Sequence, residues 1–113
     1  DEADDSPLAR LAAFVLEHLD ERIAVEDLAV RVGMSPRTLS RWCRKHLGES
    51  PAQVVRRLRF DEARRQLEET TRPLKEVAAR AGLGDPSTLW RAFVHDLGVT
   101  PTEYRQRFAA AGR

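Results

Sequence analysis

Apolar residues recur along this chain at intervals of three and four, and no stretch shows the alternate-residue pattern of a half-buried strand. The spacing predicts a first helix over about 7–19, with Leu8, Leu11, Ala12, Val15, Leu16 and Leu19 along one face. A long central helix is predicted over 51–69, with Val54, Val55, Leu58, Ala63 and Leu67 inward and a row of arginines outward. At about 1.5 Å per residue it would span roughly 28 Å. Prolines and glycines mark the ends. All six prolines stand at expected first helical positions, and five follow a capping side chain, in Ser6-Pro7, Ser35-Pro36, Ser50-Pro51, Asp85-Pro86 and Thr100-Pro101. Arg72-Pro73 is the exception. Gly33, Gly48, Gly82 and Gly98 each follow an apolar periodic stretch, where a left-handed closing residue is wanted. The fold class is all-α.

Residues 25–57 recur as 74–107 with one residue inserted. At a shift of 49, Ala29/Ala78, Arg31/Arg80 and Gly33/Gly82 coincide; at a shift of 50, so do Pro36/Pro86, Leu39/Leu89, Arg41/Arg91, Gly48/Gly98 and Pro51/Pro101. Two copies are too few for a solenoid, so a pair of modules is expected. Each copy reads as a short helix, a glycine-containing turn and a second helix: 26–32, Gly33-Met34-Ser35 and 36–46, then 75–81, Gly82-Leu83-Gly84-Asp85 and 86–96. That is the helix-turn-helix pattern. It divides the chain into an acidic linker remnant (1–5), a first subdomain (6–50), a linker helix (51–69) and a second subdomain (70–113). The first predicted helix has no counterpart in the second copy unless the central helix supplies one.

On the second helix of each copy, Leu39, Trp42, Cys43 and Leu47, or Leu89, Ala92, Phe93 and Leu97, fall on the inner stripe. Arg37, Ser40, Arg41 and Arg44 then face outward in copy one, and Ser87, Trp90, Arg91 and Val94 in copy two. Arginine on such a face suits major-groove reading, because its planar fork binds guanine O6 and N7 together. Trp90 has two readings at this level: a core residue, or an exposed ring able to meet a thymine methyl.

Charge strengthens the pattern. The net charge of +1 hides ten Arg or Lys against three Asp or Glu over 31–65, while residues 1–5 carry four carboxylates. A different reading of the same asymmetry is a helical adaptor that docks a basic surface on an acidic protein. That reading leaves the recurrence of arginine at equivalent outward positions unexplained. With one cysteine no internal disulfide can form, and a reducing, cytoplasmic setting is expected. Cys43 occupies the position of Phe93 and reads as a core residue. No apolar run approaches membrane-span length and no signal-peptide pattern is present. His18, His46 and His95 lie on different helices without metal spacing, and no nucleophile or carboxylate cluster converges with them. Neither an enzyme nor a bound cofactor is expected. The start at Asp1 rather than Met suggests a fragment of a longer protein.

Val25-Glu26-Asp27-Leu28-Ala29, Gly33-Met34-Ser35-Pro36-Arg37-Thr38-Leu39 and the closing Gly98-Val99-Thr100-Pro101-Thr102-Glu103-Tyr104-Arg105 resemble the DNA-binding domain of bacterial AraC/XylS-type transcription regulators, over nearly the whole of 8–108. The resemblance implies seven helices in two helix-turn-helix subdomains joined by a long helix, with two recognition helices in adjacent major grooves of one duplex. Base contacts would fall on Arg37, Ser40 and Arg41, with Arg44 on the same face, and on Ser87, Trp90 and Arg91. Phosphate contacts would fall on Arg31, Lys45, Arg56 and Arg80 and, at the helix starts, on Thr38 and Thr88. The implied partners are an operator duplex and RNA polymerase, and such regulators are most often activators. They usually carry a separate effector or dimerisation domain, and local phrases here are similar to the subgroup in which that domain is DJ-1/PfpI-like. Gly84-Asp85 and the bulky Trp90 depart from the family pattern, at positions that bear on the base preference of the second half-site.

Overall fold

The computed structural model describes residues 6–111; the expected acidic linker at 1–5 lies outside them. Seven helices follow in order: α1 (Pro7–Glu17), α2 (Val25–Val32), α3 (Pro36–Leu47), α4 (Pro51–Glu69), α5 (Leu74–Arg80), α6 (Pro86–Leu97) and α7 (Pro101–Ala111). Among the described residues there is no strand. Proline occupies the first helical position of α1, α3, α4, α6 and α7, as the capping dipeptides require. Pro73 does not. It is the residue before α5, in extended backbone (ψ 152°) and without a side-chain cap.

The described residues form two compact units that divide between Leu58 and Arg59. In the first, Leu11 and Val15 of α1, Leu28, Ala29 and Val32 of α2, Leu39 and Cys43 of α3 and Val54 of α4 make the core. In the second, Phe60, Ala63 and Leu67 of α4 pack with Val77, Ala78, Ala81, Leu89, Phe93 and Tyr104. The aromatic rings there meet at centroid distances of 4.7 Å (Phe60–Phe93) and 5.3 Å (Phe93–Tyr104), within the range where tilted and edge-on pairs are favourable. The second half of α4 thus fills the place that α1 holds in the first unit, and its first half closes the first unit as α7 closes the second.

This double use corrects two sequence expectations. The arginines of α4 do not all lie outside: Arg59, beside Phe60 at the start of the second core, is buried at 8% exposure, and burial lowers its guanidinium pKa. On α1 the buried stripe is narrower than expected. Leu11 and Val15 fill the core, whereas Leu8 and Leu16 are exposed.

The repeat is visible bond by bond. Met34 N–H donates to Ala29 O and Leu83 N–H to Ala78 O, both at 2.9 Å; Gly33 N–H donates to Val30 O at 3.2 Å and Gly82 N–H to Ala79 O at 3.1 Å. Both turns are therefore closed by the same Schellman-type pair of bonds. A second repeated device starts α4 and α7. Ser50 N–H donates to Gln53 Oε1 (2.8 Å) and Gln53 N–H to Ser50 Oγ (3.2 Å), while Thr100 N–H donates to Glu103 Oε1 (2.8 Å) and Glu103 N–H to Thr100 Oγ1 (3.1 Å). These are reciprocal capping boxes that satisfy two orphan donors each.

The copies differ at the inserted residue. Gly84 stands between the closed turn and the cap of α6 with φ +87°, and no atom lies within 4 Å of where a Cβ would be. Backbone conformation alone requires glycine there. Gly84→Ala should destabilise the protein by about 1–2 kcal/mol, read as a lower midpoint in urea, whereas unchanged stability would show that the turn relaxes freely.

Glu62 supplies a pH-dependent element of the second unit. Its carboxylate accepts from Arg65 Nε (2.9 Å) and Nη2 (2.7 Å) and from Gln66 Nε2 (3.0 Å). The Arg65 bonds in the first place hold its pKa below the usual value. A carboxyl lowered in the folded state stabilises above its unfolded pKa of about 4.3, and that stability is lost as pH falls through the folded value. Between about pH 5 and 3 the thermal midpoint of the wild type should therefore fall more steeply than that of Glu62→Gln; parallel curves would exclude this contribution.

Candidate nucleic-acid interface

Leu39 and Cys43 are fully buried, and their burial sets the rotation of α3. Arg37, Ser40, Arg41 and Arg44 are all exposed. At about 100° per residue these four positions share an arc of roughly 100°. Burial and the Glu49 carboxylate push the Cys43 thiol pKa up, which suits a packing residue. α3 carries Arg37, Arg41, Arg44 and Lys45 and no carboxylate. None of these four makes an ion pair with another described residue, and neither does the exposed Arg56 of α4. Ser40, Arg41, Arg44 and Lys45 also line an open concavity of about 400 Å³, completed by Ser50 and Pro51 at the start of α4. The capping pattern of Ser50-Pro51 announced a helix start, but its place beside the α3 cations depends on the tertiary packing of α3 on α4.

α6 is fixed in the same way by Leu89 and Phe93, both fully buried. Ser87, Trp90, Arg91 and Val94 face outward. Trp90 is 45% exposed, which decides between its two readings in favour of the surface. Leu97, expected on the inner stripe, is also exposed, at 39%. It is the last residue of α6, beyond the turn that Phe93 covers.

The helix starts differ in charge. Ser35 Oγ accepts from Thr38 N–H (3.1 Å) and donates to Thr38 Oγ1 (2.9 Å), a neutral cap. At α6 the Asp85 carboxylate accepts from Thr88 N–H (2.9 Å), and its bonds to Thr88 hold its pKa below the ordinary value. A negative cap stabilises the α6 start through the helix dipole. It also opposes a phosphate at Thr88, whereas Thr38 faces no such charge.

Two of the other expected phosphate contacts, Arg31 and Arg80, are already engaged. Arg31 lies 3.6 Å from Glu17 and its guanidinium sits over the Phe14 ring at 4.9 Å; Arg80 donates to Glu76 at 2.9 Å. Glu17 is too far from Arg31 in sequence for periodicity to reveal the pair. Glu76 and Arg80 are four apart on α5, the spacing at which such pairs form. The histidines have local partners: His18 with Phe14 O (2.8 Å), His46 with the Trp42 ring (4.9 Å) and His95 with Asp96 (2.7 Å). Among the described residues no three of His, Cys, Asp and Glu gather closely enough for a metal ion, and no helix is long and apolar enough to cross a membrane.

Two copies of a short supporting helix, a closed turn and a presented helix define a tandem helix-turn-helix protein. Residues 28–107 match the family model described as helix-turn-helix domain, and the chain belongs to this family of AraC-type domains. It is 42% identical over 85 residues to the HTH-type transcriptional regulator Rv1931c of Mycobacterium tuberculosis, covering 75% of this chain and 33% of that protein. It is 32% identical over 102 residues to the HTH-type transcriptional activator RhaS of Salmonella schwarzengrund, covering 90% of this chain and 37% of that one. The chain thus spans about a third of the length of these curated relatives. Among solved structures, the DNA-binding domain of AdpA in complex with a target DNA superposes with TM-score 0.79 at 40% identity, covering 94% of this chain and 96% of that domain. An AraC-type regulator from Chromobacterium violaceum shares the fold, with TM-score 0.84 at 23% identity over 96% of this chain and 97% of that one.

Proposed function

We propose that this chain binds double-stranded DNA sequence-specifically and is the DNA-reading part of a transcription regulator. The observation that carries the reading is the outward arc of α3, three guanidiniums free of counter-ions among the described residues and held in place by two fully buried side chains. In this reading α3 lies in a major groove with Arg37, Ser40, Arg41 and Arg44 toward base edges, and α6 enters a neighbouring groove with Ser87, Trp90 and Arg91. Lys45 and Arg56 meet phosphates, joined by Thr38 and Thr88 at the helix starts. Arg31 and Arg80 join them only by exchanging Glu17 and Glu76 for phosphate. The likeness to the AdpA domain, whose structure contains its target DNA, supports the partner. The parent protein, in this reading, works in the cytoplasm and carries a further effector or dimerisation domain, and the assembly contacts RNA polymerase.

DNA affinity should fall steeply with salt. About six neutralised phosphates give a slope near −5 in a log–log plot for B-DNA, and absence of binding at low salt would end the proposal. The two kinds of contact are separable as well. Arg41→Ala should remove about 1–3 kcal/mol of discrimination between specific and altered sites, whereas Lys45→Ala should weaken specific and random DNA alike; titrations in which both variants lose equally on both DNAs would refute the division of roles.

A further inference from the structure

The outward faces of α3 and α6 occupy the same arc and differ in chemistry. At the shift of 50 that relates them, Ser40 and Arg44 correspond to Trp90 and Val94. The latter pair is one helical turn apart, 45% and 46% exposed, and flanks Arg91 on the presented side. From this, and resting on the DNA-binding reading above, we infer that Trp90 and Val94 select thymines by their 5-methyl groups, so that α6 reads an A·T-containing block where α3 reads hydrogen-bonding base edges.

The selectivity follows from what a major groove offers. Of the four base pairs' edges, thymine alone presents an apolar group there; guanine, cytosine and adenine present donors and acceptors. The face of a Trp ring and a Val side chain pressed on those polar edges would displace water without returning a hydrogen bond, and a desolvated polar group left unpaired is unfavourable. The same two side chains therefore favour thymine and disfavour the alternatives, the two halves of specificity. Residues four apart on a helix are separated by about 6 Å along its axis, close to two base steps of about 3.4 Å. Two thymines within two steps of each other match the pair. Arg91, on the same arc, remains available for a neighbouring guanine or phosphate.

The test uses the whole chain. Selection from a random duplex pool should yield two blocks, one of them containing paired thymines. Replacing either thymine in that block by deoxyuridine removes only the methyl and should weaken binding about four-fold, the equivalent of one buried carbon. In Trp90→Ala or Val94→Ser the same replacement at one of the two positions should have no further effect, while discrimination within the other block persists and shows that the variant is folded. Full affinity for deoxyuridine DNA, an unchanged uridine penalty in both variants, or a selected site with one block only would each overturn the inference while leaving DNA binding intact. Recovery of no sequence at all would overturn DNA binding with it.

Discussion

The complete burial of Leu39 and Leu89 is the constraint from which the presented surfaces follow. A short helix on the outside of a small domain can roll unless something pins it. Here one leucine, together with Cys43 or Phe93 a turn later, is driven out of water by roughly 1.5–3 kcal/mol per large side chain. Once these side chains point inward, the helical period leaves positions 37, 40, 41 and 44, or 87, 90, 91 and 94, pointing outward. The turns before them add the second restraint, because the paired bonds to Ala29 and Val30, or Ala78 and Ala79, hold the entry of each presented helix. Rotation and entry angle are thus settled by groups that never meet a ligand.

A helix-turn-helix of this size cannot enclose a core by itself, and each unit takes walls from elsewhere. The first takes α1 and the start of α4; the second takes the remainder of α4 and α7. The division of α4 between two cores falls at Leu58 and Arg59, and Arg59 stands beside Phe60, the first residue of the second core. Tyr104 shows how the second unit seals its closing helix. Its ring packs on Phe93 and Phe108, while its hydroxyl donates to Glu68 and accepts from Arg64 Nε at 3.3 Å. The equivalent position in the first unit is the smaller Val54, where Cys43 replaces Phe93 and no ring needs a partner.

Much of this was legible in the sequence because helix ends have local chemistry. Ser35-Pro36 and Gly48 mark α3 through a cap, a preset φ and a left-handed close, all properties of adjacent residues. The outward faces were legible for the same reason, since period and a repeated leucine determine them. Features that depend on distant contacts were not. The burial of Arg59, the exposure of Leu8 and Leu16, and the attachment of Arg31 to Glu17 arise from how helices pack, and no local pattern encodes them. Gly84 lies between these cases: it was visible as an insertion, but its positive φ comes from reconciling a closed turn with the cap of α6. Pro73 shows the limit of a strong local rule, since the residue before it offers no capping oxygen and the helix begins one position later.

Identical scaffolds carrying unlike surfaces also explain why the two units need not contribute equally to binding. α3 has four cations, a neutral cap and no carboxylate; α6 has Arg91 as its one Arg or Lys, an anionic cap at Asp85, and Asp96 near its end. Attraction of a polyanion to the presented helix itself is therefore stronger at α3 than at α6. α6 presents one guanidinium, Arg91, and its exposed Trp90 and Val94 can contribute only in dry contact. Electrostatic attraction acts across a Debye length of about 10 Å and tolerates poor registration; apolar contact acts only at touching distance and does not. On the DNA-binding function proposed above, the division of labour is between a surface that captures the duplex and one that responds to its fine structure, and in both helices the presented positions are those the buried leucine turns outward.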